Sequence, residues 1–219
     1  MPEATLELRQ FERCPGVQLA LINTDFQTGP LPAEVMQAVI ANPAYWAFCW
    51  GSGLALARYL LANPSAVAGK SVLDVGSGSG VAGIAAALAG ARSVIACDID
   101  SDARLASLTN AQLSGVEVTL SSDLQDAPVC DVALLADVLY DRSNLPLLQL
   151  TRQRARTVLV ADSRVKDLQD PDYALIAEDT ALTEPNLGEF DEFANVRIWQ
   201  ARTASTQTRE PASAAAQTR

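Results

Sequence analysis

From Lys70 onward short apolar runs alternate with stretches of helical periodicity. Ser71 to Val75 (SVLDV) reads as a buried strand, Gly80 to Leu88 as a small-residue helix and Ser93 to Asp98 (SVIACD) as a second strand. A helix over Asp102 to Leu113, with Ser101 as its cap, and a third strand over Val116 to Leu120 follow. Val129 to Ala136 (VCDVALLA) gives a fourth strand, Leu145 to Arg154 a helix and Thr157 to Ala161 (TVLVA) a fifth strand. Beyond these the pattern weakens: Tyr173 to Ala177 and Val196 to Ala201 complete seven strands, and a short helix fits between Arg164 and Asp170. The pattern predicts an α/β, Rossmann-like fold, a mostly parallel seven-stranded sheet with helices on both faces.

Ahead of this core, Pro32 suits a first helical turn, Ala33 to Ile40 recurs at helical spacing, and Leu54 to Leu61 forms a second helix ending before Asn63-Pro64. Residues 1–65 are therefore expected to be an N-terminal helical extension and residues 66–202 the core of one domain, with Leu6 to Gly29 matching no element. Residues 203–219 (TASTQTREPASAAAQTR) hold almost no large apolar side chain and are expected to form a disordered tail.

At 219 residues, 49% hydrophobic and 19% charged, the chain suffices for one domain with a sizeable core. A net charge of −10 and the absence of His set it apart from binders of nucleic acid, which carry a basic face to meet phosphates. The four cysteines stand singly, so no zinc set is expected. No apolar run approaches a membrane span, no leader pattern opens the chain, and nothing demands a dimer; a cytoplasmic monomer is expected.

Chemistry concentrates where the first core strand meets its helix. Val72-Leu-Asp-Val-Gly-Ser-Gly-Ser-Gly80 places Gly76, Ser77, Gly78 and Gly80 at a strand-to-helix turn, where backbone approaches a ligand closely and the helix N-terminus offers free N–H groups. Gly78, Gly80 and Gly83 also satisfy the dinucleotide pattern, but Gly78 lies two residues beyond Gly76 and the register from Gly76 fails at Val81. Asp74, two residues before Gly76, suits a cationic ligand better than a pyrophosphate, which favours phosphate-free S-adenosylmethionine with its sulfonium and ammonium. Asp98 closes the second strand, where a carboxylate accepts both hydroxyls of an adenosine ribose in either ligand class. Asp123 follows the third strand as a candidate acceptor for the adenine amino group, with Leu124 against the ring; a plain loop aspartate is the alternative.

On these residues the chain resembles the class I methyltransferases of the protein-lysine branch, and within it the group acting on the electron transfer flavoprotein beta subunit. The matching segments are Pro43-Ala-Tyr-Trp-Ala-Phe-Cys-Trp-Gly-Ser-Gly53 with Ala57-Arg-Tyr-Leu-Leu61, Gly69-Lys-Ser-Val-Leu-Asp-Val-Gly-Ser-Gly-Ser-Gly80, Ala96-Cys-Asp-Ile-Asp100 and Ala136-Asp-Val-Leu-Tyr140. They span roughly Tyr45 to Ala161. The resemblance implies S-adenosylmethionine as cofactor, with Trp46, Trp50, Gly53 and Ile99 beside it; helix packing is the alternative for the tryptophans. It also implies that Asp137 and Tyr140 flank the catalytic pocket, Asp137 holding the incoming lysine ammonium and Tyr140 closing the pocket or donating a hydrogen bond. Asp137 falls at the carboxyl end of a strand, where open parallel sheets bind ligands, and a helix cap is its alternative. The segment from Asn186 to Asn195 is acidic and departs from the Thr-rich stretch of the flavoprotein-directed group, which leaves the acceptor less defined than the class. A protein substrate with a lysine-rich segment is expected; a small-molecule methyltransferase and a non-catalytic cofactor-binding protein are the alternatives.

Overall fold

A computed structural model describes residues 4–24, 36, 37, 39, 41–168, 170–188 and 190–201. Its seven-stranded sheet is built from β3 (Ser71–Val75), β4 (Ser93–Cys97), β5 (Thr119–Ser121), β6 (Cys130–Ala136), β7 (Ala155–Asp162), β8 (Tyr173–Thr180) and β9 (Asn195–Ala201). The order across the sheet is β5-β4-β3-β6-β7-β9-β8, with β9 antiparallel to both neighbours and the remaining pairs parallel. The chain winds outward from β3 to β5, then returns to the other side of β3 as β6. The strand order thus reverses at β3, and open α/β sheets bind ligands beyond the carboxyl ends of strands at such a point.

Both faces of the sheet are covered, which is why the central strands read as mostly apolar runs. Val72 of β3 and Val132 and Leu134 of β6 pack on one face with α1 (Gly51–Ala62), α2 (Val81–Leu88) and α3 (Ser101–Leu113). The alternate residues Leu73, Val75, Ala133 and Leu135 pack on the other face, where Leu148 of α4 (Pro146–Arg154) joins Tyr173 and Trp199.

The expected N-terminal helical extension is corrected at its beginning. Leu6–Phe11 and Cys14–Ile22 form an antiparallel hairpin, β1 and β2. The cause is a period of two: Val17, Leu19 and Leu21 are buried, whereas Gln18 between them is half-buried. The hairpin is tied to α3 through its backbone, with Gln18 N–H donating to Ser114 Oγ at 2.9 Å and Ala20 N–H to Asn110 Oδ1 at 2.8 Å. Residues 36, 37, 39 and 41 are helical; the rest of the Ala33 to Ile40 expectation, and the tail at 203–219, lie outside the described residues.

Two smaller expectations also change. Asp100 rather than Ser101 caps α3, its Oδ1 accepting from Asp102 N–H at 2.8 Å. No helix forms among the described residues from Arg164 to Asp170. Asp162 instead accepts from the N–H groups of Arg164 and Val165 at 2.7 and 2.8 Å, fixing a turn where β7 ends.

Candidate active site

Everything that leaves the carboxyl ends of β3, β4 and β6 converges on one cavity. After Val75 the chain turns through Gly76, Gly78 and Gly80, all with positive φ (69°, 51° and 83°). Gly76 sits under Val138: a Cβ there would come within 2.5 Å of Val138 Cγ1, so a larger residue enters only if Val138 gives way. The loop is held from behind by α3, whose Ser107 Oγ donates to Gly78 O at 3.0 Å and whose Asn110 Nδ2 donates to Ser79 O at 2.9 Å. From β4, Asp98 braces the front: Oδ2 accepts from Gly78 N–H and Oδ1 from Asp100 N–H, each at 3.0 Å.

The resulting cavity has a volume of about 750 Å³, within the range of small-molecule sites. Of the residues singled out from sequence, it is lined by Trp46, Trp50, Gly76, Gly78, Asp98 and Ile99, and further along by Leu124, Asp137 and Tyr140. Ile99 is 92% exposed, a large apolar side chain standing open beside the Asp98 carboxylate. These residues line one site although they come from five separate segments.

Five expected contacts fall outside it. Asp74 shares a strand face with Val72 and so turns toward α2, where its Oδ2 accepts from Gly83 N–H at 2.9 Å; it braces strand to helix and does not line the cavity. Burial pushes its carboxyl up to about 7, with the Gly83 hydrogen bond opposing and the Asp98 charge adding to the rise. Gly53 lies in α1, pressed on α2 so closely that a Cβ would meet Val81 Cγ1 at 2.9 Å. Ser77 is buried, its Oγ hydrogen-bonded with Ser107 Oγ at 3.0 Å, and Gly80 is the left-handed residue that starts α2. Asp123 turns its Oδ1 to Gln125 N–H at 2.7 Å, leaving only its neighbour Leu124 on the cavity.

Asp137 and a group of aromatic rings complete the lining. Asp137 Oδ1 accepts from Ser52 Oγ at 2.6 Å and Oδ2 from Ser52 N–H at 2.8 Å, which joins the end of β6 to the first turn of α1. Burial raises its carboxyl to about 6; the Ser52 hydroxyl and Arg164 pull it down, and the Asp162 charge pushes it up. Tyr45 stands 5.9 Å from Trp50 and 6.0 Å from Tyr140 between ring centres, and Trp50 Nε1 donates to Tyr45 O at 2.9 Å. Burial, then Tyr45, raises the Tyr140 pKa, so this hydroxyl remains protonated at neutral pH.

Sequence reasoning missed other lining residues, among them Tyr45, Asn144 and Arg164. Arg164 Nη1 lies 3.7 Å from Asp137 Oδ1, and its guanidinium covers the Phe193 ring at 5.3 Å. Its position two residues past β7 was the available signal, since every loop at the carboxyl edge borders the site.

Residues 58–155 match the family model for ribosomal protein L11 methyltransferase (PrmA). A solved structure, the magnesium protoporphyrin IX methyltransferase of Synechocystis with bound SAM, superposes with a TM-score of 0.53 at 18% identity, covering 80% of this chain and 87% of that one. This is the class I methyltransferase fold. Among curated proteins, the electron transfer flavoprotein beta subunit lysine methyltransferase of Mus musculus is 42% identical over 113 residues, 50% of this chain and 44% of the mouse protein. Its homolog in Caenorhabditis elegans is 29% identical over 199 residues, 80% of each chain. The resemblance read from the motifs is thus matched by these relatives. The chain spans less than half the length of the mouse protein it matches. In the methyltransferase fold described here, the glycine loop, Asp98 and Asp137 all lie within or next to the matched region.

Proposed function

We propose that this chain is an S-adenosylmethionine-dependent methyltransferase that N-methylates lysine side chains of a protein. The observation that carries the reading is a single cavity lined both by Asp98 with the open Ile99 and by Asp137 with Tyr45, Trp50 and Tyr140. The donor set fits the cofactor: a carboxylate for the ribose hydroxyls, Ile99 and Leu124 as apolar surfaces for adenine, and the bare backbone of Gly76 and Gly78 for the amino-acid portion. S-adenosylmethionine, when bound, supplies an electrophilic methyl group on a sulfonium.

What remains for the protein is to align an amine and leave it neutral. The ring-lined mouth suits the aliphatic stem of a lysine and excludes water around its nitrogen. Asp137 accepts a hydrogen bond from the arriving amine and orients it; the proton departs to solvent before transfer. The acidic chain, with a net charge of −10, favours a substrate lysine set among basic residues. Action as a cytoplasmic monomer belongs to the same reading; among the described residues no helix is long and apolar enough to cross a membrane.

The names of the relatives supply candidate acceptors, the electron transfer flavoprotein beta subunit and ribosomal protein L11. Each purified acceptor, incubated with the chain and methyl-labelled cofactor, reports directly. Label on lysine with the wild-type chain and none with Asp98→Ala supports the proposal. Measurable cofactor binding with label in no protein, in these acceptors or in a whole-cell extract, refutes protein methylation.

A further inference from the structure

Asp137 is the one non-glycine residue with left-handed backbone among the described residues, at φ 53°. Such a backbone is held only where the surroundings fix it, and it recurs at sites where a side chain must be aimed. Here the fixing is visible. Asp137 N–H donates to Ala161 O at 3.1 Å, and both carboxylate oxygens are engaged by Ser52, through its hydroxyl at 2.6 Å and its amide at 2.8 Å. Ser52 is completely buried in the first turn of α1, whose N-terminus favours a negative charge. Two of roughly four lone-pair sites on the carboxylate are thereby used, and the residue still borders the cavity.

We propose that Ser52 is a positioning residue: its hydroxyl and amide clamp Asp137 against α1, holding the carboxylate ionised and in one orientation for the acceptor amine. The inference rests on the function proposed above. It gives Ser52 a role distinct from the cofactor contact expected of its neighbour Gly53, because Ser52 acts only through Asp137. The charged and titratable groups facing Asp137 are Asp162 at the end of β7, Arg164 in the turn beyond it and the Cys49 thiol just before α1. Asp162 opposes ionisation of Asp137, whereas Arg164 and Ser52 favour it. Losing the Ser52 hydroxyl therefore drives the Asp137 titration upward.

The test uses the full chain with Ser52→Ala, and with Ser52→Cys as a second variant of similar size and weaker donor strength. Asp137 is titrated by carboxyl carbon NMR, and the pH profile of kcat is measured on a methylated acceptor. The expected result is an Asp137 midpoint raised by about one pH unit, the magnitude of one charge-assisted hydrogen bond, with the acid limb of kcat moving by the same amount. Below the limb kcat falls about tenfold, KM for the acceptor and cofactor affinity change less than twofold, and Ser52→Cys falls between. Asp137→Asn should abolish the limb. A uniform loss of kcat at every pH, or an Asp137 midpoint that does not move, overturns the positioning role. A wild-type chain that binds cofactor but methylates nothing refutes the proposed function instead, and the NMR titration alone then decides whether Ser52 sets Asp137.

Discussion

Gly76→Ala tests the geometry of the loop without reference to any ligand. Two costs add. An L-residue at φ 69° loses roughly 1 to 2 kcal/mol relative to glycine, and the new Cβ lies 2.5 Å from Val138 Cγ1, an overlap of the kind that costs about 1 to 3 kcal/mol to relieve. The sum is about 3 kcal/mol, which for a chain of this size lowers Tm by roughly 10 °C. The second cost depends on Val138, so a double-mutant cycle separates it from the first. Gly76→Ala, Val138→Ala and the double variant are compared by urea denaturation and thermal melting. The double variant should recover about 1 to 2 kcal/mol relative to the sum of the single losses. Additivity to within about 0.5 kcal/mol would show that the two residues do not press on each other, and the account of the loop would fail.

Asp98→Ala should weaken S-adenosylmethionine binding by about 1.5 to 3 kcal/mol, some 10- to 150-fold in Kd by calorimetry, because a charge-assisted acceptor is lost; unchanged affinity removes Asp98 from the site. Asp74 yields a pH effect whose sign follows from burial. Its folded carboxyl is raised to about 7 from 3.8, so between those values the folded state holds a proton that the unfolded state has released, and stability falls as pH rises through that window. Asp74→Asn should flatten the decline measured by urea midpoints from pH 4 to pH 8, a difference of ~4 kcal/mol at most; identical slopes count against it. Asn110→Ala removes two buried hydrogen bonds, to Ala20 N–H and Ser79 O, and should cost about 2 to 4 kcal/mol, with faster hydrogen exchange at the Ala20 amide. Protection at Ala20 that survives the substitution contradicts the tie.

The sheet was readable because its strands announce themselves. Buried on both faces, β3, β6 and β7 are mostly apolar runs, and helical periodicity separates them. Asp98 and Asp137 were legible for a related reason: each is the first polar residue after such a run, and the run's end is the sheet's binding edge. Asp74 misled because charge was read without the two-residue alternation that turns it toward α2. The β1–β2 hairpin carried its alternation in Val17, Leu19 and Leu21, but it is too short to weigh against the helical pattern beyond it. Tyr45 and Asn110 had no local signal, and Arg164 had only its place just past β7. Their roles arise from contacts across long stretches of chain, as Asn110 to Ala20 shows, and such contacts are properties of the folded topology.

The reversed strand β9 decides which way the chain exits the sheet. Running against β7, it begins at Asn195 on the edge shared by the glycine loop, Asp98 and Asp137, and it reaches Ala201 on the opposite edge. A fluorophore, affinity handle or fused domain joined just after Ala201 therefore starts on the side of the sheet away from the cavity. A surface-immobilised chain anchored there would hold the edge that carries the glycine loop, Asp98 and Asp137 away from the support.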